Sequence, residues 1–113
     1  MIPLKSKYLK KYSGMTLWPF LLVSNKSKLT DAVFMNHENI HAVQQKELLV
    51  VFFYLWYGLD YLFNLMRYMN HHKAYRNIVF EREAYLNESN LDYLKERKLF
   101  SFFKFYGKKY AHE

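Results

Sequence analysis

The stretch Asp31-Ala32-Val33-Phe34-Met35-Asn36-His37-Glu38-Asn39-Ile40-His41-Ala42-Val43-Gln44-Gln45-Lys46-Glu47 decides how the rest of the chain is read. It contains neither glycine nor proline, and Thr30 or Asp31 at its start can cap a helix. We read a helix from Asp31 to about Glu47. Inside it, His37-Glu38-Asn39-Ile40-His41 fits H-E-x-x-H. Residues four apart on a helix share one face, one turn up, so both imidazoles can reach a single ion at about 2.0–2.1 Å. Glu38 is displaced by about 100° around the axis. That position makes it a poor third ligand and a good base, able to take a proton from a water beside the two histidines. The competing reading is two surface histidines flanking a solvated glutamate.

Downstream, Leu48 to Leu59 (LLVVFFYLWYGL) is apolar or aromatic throughout, and the pattern continues to Met69. We read Leu48 to Asn70 as a second helix, continuous with the first or kinked near Gly58. Its 12 uninterrupted residues are short for a membrane span. Extended to Met69, a span would carry Asp60, Asn64 and Arg67 into lipid, at about 2.5–3.5 kcal/mol for each charged side chain. Those three residues follow i, i+4, i+7 spacing and form one polar stripe, facing water, a site or a partner. A core or interfacial helix is therefore the preferred reading over a true span. His71-His72 ends this helix or begins the next. Lys73 to Asn90 reads as a third helix, with Tyr75, Ile78, Val79 and Leu86 on its core face. Leu91 to Tyr106 reads as a fourth, rich in Phe and basic residues.

Upstream, residues 7 to 23 read as strand material. Ser13-Gly14 marks a turn between Tyr8–Tyr12 and Met15–Val23. Pro19 inside the second run confines it to a sheet edge, because proline cannot donate to a ladder. The expected fold is α+β: one domain over residues 1–113, mostly helical with three to four helices, and a short N-terminal β-hairpin or edge strand. The 113 residues suit a single domain. Apolar residues at 51% and aromatics at 20% exclude a disordered tail. The absence of cysteine excludes disulfides, thiolate metal sites and a cysteine nucleophile.

A catalytic zinc site wants a third protein ligand and one open position. Asp60, His71, His72, Glu81, Glu83 and Glu88 are the candidates. Glu81 is preferred: it lies on a separate helix and shares a face with Ala84 and Glu88 at i, i+3, i+7. The small Ala84 lets that helix come close to the motif helix. Glu83 points elsewhere, to solvent or to a nearby base. His71 and His72 suit a helix C-terminus better than a metal.

HENIH followed by Glu81-x-x-Ala84 resembles the gluzincin metallopeptidases, in which two motif histidines and a downstream glutamate hold zinc. The E-x-x-A form is similar to membrane-embedded gluzincins and, closest in length, to the small soluble minigluzincins. The segments MTLWPFLLV, NHENIHAVQQKELL, FYLWYGLDYL and HKAYRNIVFEREAYLNE are also similar to a group of short bacterial proteins. Together they cover residues 15 to about 88. The resemblance implies a small zincin-like domain holding Zn²⁺ through His37, His41 and Glu81, with Glu38 as general base and a peptide or protein as substrate. It also implies an edge strand that binds extended substrate by strand addition, with Trp18 a candidate for the cleft wall. The chain departs from the pattern at Tyr85, where many gluzincins carry Asp or Asn hydrogen-bonded to a motif histidine. Asp60 or Asn64 is the expected substitute. The 39 residues between His41 and Glu81 also hold one long apolar helix.

The net charge is +7, with 17 Lys and Arg against 10 Asp and Glu. Basic residues gather near both ends, and the C-terminal ones are interleaved with Phe100, Phe102, Phe103, Phe105 and Tyr106. This composition suits an anionic membrane surface or a membrane-protein partner. Nucleic acid is disfavoured because no binding motif accompanies the charge. The rival to peptide hydrolysis is thus a module, with or without metal, that docks at a membrane surface. No secretory signal is recognisable, so a cytoplasmic, membrane-associated address is expected.

Overall fold

The computed structural model describes residues 1–6 and 14–113. The strand expected at Tyr8–Tyr12 lies outside the described residues. The architecture is α+β, with a small mixed sheet at the N-terminus followed by a mostly helical region. Strands β1 (Ile2–Lys5), β2 (Gly14–Leu17) and β3 (Phe20–Val23) stand in the order β1-β3-β2. β1 runs parallel to β3 and β2 antiparallel to it.

The run Met15–Val23 is not one strand. Leu17 pairs with Phe20, so Trp18 and Pro19 form the tip of a β2–β3 hairpin. Proline's fixed φ and missing N–H suit a turn better than a ladder. β2 does lie at the sheet edge, but because β1 covers the other side of β3 and not because of Pro19. A Cβ on Gly14 would lie 2.4 Å from Phe34 Cζ, so the missing side chain is what admits that ring against β2.

Helix α1 (Ala32–Glu47) begins at Asp31, whose carboxylate accepts from the Phe34 N–H at 3.1 Å. It ends in a Schellman-type turn: Leu49 N–H bonds to Lys46 C=O and Val50 N–H to Gln45 C=O. Leu49 and Val50 both take positive φ, 57° and 55°, without a glycine to ease it. Helix α2 (Val51–Tyr68) then leaves at 112° to α1. The expected kink near Gly58 is absent, and the break falls instead at Leu48–Val50.

The third expected helix is two helices, α3 (His71–Arg76) and α4 (Val79–Asn87). The fourth shortens to α5 (Tyr93–Glu96) and a 3-10 helix over Ser101–Tyr106. His71 and His72 open α3 rather than closing α2. Asn77 explains the α3–α4 break. Its side chain donates to Lys73 O and His112 O and accepts from Arg82 and the His112 N–H, tying the C-terminus to the corner.

The polar stripe of α2 is used inside the fold. Asp60 Oδ2 accepts from the Val79 N–H at 2.8 Å, capping α4 from another helix. Asn64 donates to Ala74 O, while Arg67 stays exposed over the Tyr68 ring. The main core joins Phe53 of α2, Ile78, Val79 and Phe80 of the α3–α4 segment, and Phe102 and Phe105. Leu86, expected in it, is 56% exposed. Ile40 of α1, Ala84 of α4 and Tyr93 form a second cluster. The small Ala84 thus sits where α4 meets the motif helix, as its spacing predicts.

Candidate metal centre

His37, Glu38 and His41 are all buried, and their ligand-capable atoms lie within 4.8 Å of one another. α4 brings Glu81 to the same point. Glu81 Oε1 stands 3.0 Å from His41 Nε2 and 3.3 Å from His37 Nε2, and the two Nε2 atoms are 3.2 Å apart. The other oxygen, Oε2, accepts a 2.6 Å hydrogen bond from Tyr57 OH, which fixes the carboxylate with Oε1 inward. These buried His and Glu donors can hold a metal ion. With bonds of about 2.0–2.1 Å, tetrahedral ligand atoms are separated by about 3.3–3.4 Å, close to the triangle found.

The hydrogen bonds around His41 set its tautomer. Gln44 Nε2 donates to Phe80 O at 3.2 Å and to Glu83 Oε1 at 2.8 Å, so both its protons are spent on acceptors. Gln44 Oε1 must therefore be the atom that faces His41 Nδ1 at 2.8 Å, and Nδ1 carries the hydrogen. His41 therefore turns its other nitrogen, Nε2, toward a carboxylate oxygen and a second imidazole. Three polar atoms at 3.0–3.3 Å from one another need a shared hydrogen or a metal ion between them. The same demand appears as pKa shifts. Burial disfavours the His41 imidazolium, but Glu81, with Glu38 and the Gln44 hydrogen bond, outweighs it and lifts the pKa to about 9. Burial raises Glu81, yet His41 and His37 together pull it well below the ordinary carboxylate range. Glu38 is raised by burial, with the two histidines opposing.

Of the other ligand candidates, none joins the triangle. Asp60 caps α4. His71 Nδ1 meets Tyr61 OH at 2.7 Å at the mouth of the cleft. The His72 ring lies against that of His112. Glu83 is fully buried, not solvent-facing, and is paired with Arg97 at 2.6 Å. Glu88 approaches the outer nitrogen of His37, Nδ1, at 3.3 Å. The supporting role expected of Asp60 or Asn64 falls instead to Gln44, for His41, while His37 has the Tyr85 ring packed edge-on against it and makes no hydrogen bond through Nδ1. Gln44 was readable only as a residue three positions past His41 on the same face. Nothing in the sequence marked Tyr57.

A cleft of about 290 Å³ opens onto the triangle, walled by Gly14, Met15 and Thr16 of β2 and by Tyr54, Tyr57 and Tyr61 of α2. Thr16 Oγ1 donates to the Glu38 backbone carbonyl at 3.2 Å and reaches Glu38 Oε2 at 3.5 Å. Trp18, expected in the wall, sits at the hairpin tip under Lys46 and does not line the cleft. The β2 edge is also partly closed. Gln45 Nε2 donates to Thr16 O and Gln45 Oε1 accepts from the Trp18 N–H, at 2.8 and 2.7 Å. Tyr54 OH donates to the same Thr16 carbonyl. The carboxamide thus imitates a strand residue opposite Leu17. Strand addition would have to begin before this point or displace Gln45.

No family model, curated protein or solved structure matches the chain.

Replacing Gln44 tests whether its contact orients His41. Gln44→Met keeps the length of the side chain but removes the acceptor for His41 Nδ1–H. Zinc affinity, measured by competition with a chelator, is expected to fall by about 10–100-fold. An unchanged affinity would mean that Gln44 does not orient the imidazole.

Proposed function

We propose that the chain is a zinc-dependent peptide hydrolase whose ion is held by His37, His41 and Glu81. The observation that carries this reading is the triangle of His37 Nε2, His41 Nε2 and Glu81 Oε1, 3.0–3.3 Å on each side, with His41 oriented by Gln44 so that Nε2 faces inward. A zinc ion bound there would polarise a carbonyl and acidify a water. Glu38 lies on the same helix, about 100° round from His37. In this reading its carboxylate takes the proton of the attacking water and gives it to the leaving amine nitrogen. Thr16, bonded to the backbone and carboxylate of Glu38, holds that base against β2. Tyr57 keeps Glu81 turned toward the histidines. The cleft beside β2 offers the space for an extended peptide, ahead of the stretch closed by Gln45.

The decisive measurement is the metal content of the purified chain by elemental analysis, with His37→Ala as control. Stoichiometric zinc in the parent and its loss in the variant is the expected result. A parent that binds no zinc when supplied with it would end the hydrolase reading.

A further inference from the structure

α2 has a face that the fold does not cover. Phe52, Leu55, Leu59, Leu62, Phe63 and Met66 are each 54–72% exposed. At 100° per residue they fall, with Val51, within an arc of roughly 120°, and every position of α2 in that arc is apolar. From Val51 to Met66 the stripe is about 22 Å long. Single exposed apolar residues are ordinary on a protein surface, but a continuous stripe is not. The stripe continues sideways onto the C-terminal 3-10 helix. Trp56 binds Tyr106 OH at 2.7 Å through its indole N–H and packs against Phe103 at 5.2 Å. Phe103 is itself 52% exposed, and Lys104 follows it at the surface.

We infer that this face docks onto an anionic lipid bilayer, with α2 lying in the plane of the membrane. Charge decides between the occupants such a face could have. The chain carries +7. The single acid of α2, Asp60, falls outside the apolar arc; it borders the groove beside Leu59, Phe63 and Tyr106, where its Oδ2 accepts from the Val79 N–H. Lys98, Lys104, Lys108 and Lys109 are exposed in the segment that packs beside it. A second copy would bring two such positive surfaces together, whereas anionic headgroups would neutralise them. Geometry decides between lying on the bilayer and crossing it. Among the described residues no single helix is long and apolar enough to cross, and the other face of α2 is committed to the core and the cleft. An exposed apolar stripe with basic flanks, its opposite face packed on the protein, suits a helix lying in the plane of the interface. The inference does not depend on the metal reading. It would make α2 a wall shared by the lipid and the cleft, because Tyr54, Tyr57 and Tyr61 project from its opposite side.

The test is co-sedimentation of the full chain with phosphatidylcholine vesicles, with and without phosphatidylglycerol, at low and high salt. A Leu59→Asp/Phe63→Asp variant is run alongside, with far-UV circular dichroism and the thermal midpoint as checks that it folds. Both positions are exposed, so the fold should tolerate the change. The parent is expected to pellet with the anionic vesicles on the order of ten-fold more than with neutral ones, and less at high salt. The folded variant should remain in the supernatant. If the variant does not fold, Leu59→Ser alone, expected to bind more weakly than the parent, takes its place. A parent that stays in solution with anionic vesicles overturns the inference, as does binding that is equal on both lipids or unchanged in the folded variant. So does light scattering that shows a dimer broken by the same substitutions, since a second copy would then own the face.

Discussion

Glu38→Gln is expected to keep stoichiometric zinc and to lose about 10²–10⁴-fold in the rate of peptide cleavage, the usual contribution of a positioned proton acceptor. The substitution is nearly isosteric. Its side-chain oxygen can still accept from Thr16 Oγ1, and the backbone carbonyl that Thr16 also touches is unchanged. The carboxamide cannot accept the proton that the carboxylate would take. His37, His41 and Glu81 are untouched, so the metal content separates a lost base from a lost site. The assay is cleavage of a quenched fluorogenic peptide library, paired with elemental analysis of the same samples. A variant that cleaves at the parental rate would remove Glu38 from the mechanism.

Arg97→Met is expected to lower the unfolding free energy by about 3–5 kcal/mol, the cost of orphaning buried charges. Arg97 joins two carboxylates that the sequence keeps far apart. Its guanidinium donates to Glu83 Oε2 at 2.6 Å and, through both terminal nitrogens, to the two oxygens of Glu47 at 2.9 Å. The side chains of Arg97, Glu83 and Glu47 are 3%, 0% and 4% exposed, so solvent cannot replace the cation. A loss of this size is a large share of the 5–15 kcal/mol that holds a small domain together. Urea unfolding measures it. Adding Glu47→Gln and Glu83→Gln to Arg97→Met should recover part of the loss, because the penalty comes from the unpaired carboxylates. If the triple variant is no more stable than the single one, the network contributes by packing and not by charge. The same network reaches the candidate metal centre. Glu83 Oε1 accepts from Gln44, and Gln44 holds the His41 ring.

The motif helix was legible because all its signals are local. Asp31 caps it, nothing in it breaks it, and the i, i+4 histidines need only helical periodicity to share a face. Glu81 was legible for a related reason, since the spacing to Ala84 marks a helix face suited to close approach. The break between α1 and α2 was not legible. Leu48-Leu49-Val50-Val51 contains no residue that favours a positive φ, and local preference runs toward one continuous helix. Long-range contacts outweigh it: Glu47, the last residue of α1, is held by Arg97 and by the Phe100 N–H. Pro19 misled in the opposite way. Its missing donor is a genuine constraint, but a hairpin tip satisfies it as well as a sheet edge does.

By itself the sequence determined the class of the fold, the helix that carries HENIH and the chemistry its side chains offer, because capping, periodicity and residue type act within a few positions of one another. Only the tertiary structure decided that Glu81 meets both imidazoles, that Gln44 orients one of them, and that one apolar face of α2 stays uncovered. Those outcomes depend on how separate helices cross, and that is settled by burial and charge pairing between residues some 10 to 50 positions apart, as in Gln44–Glu83 and Arg97–Glu47.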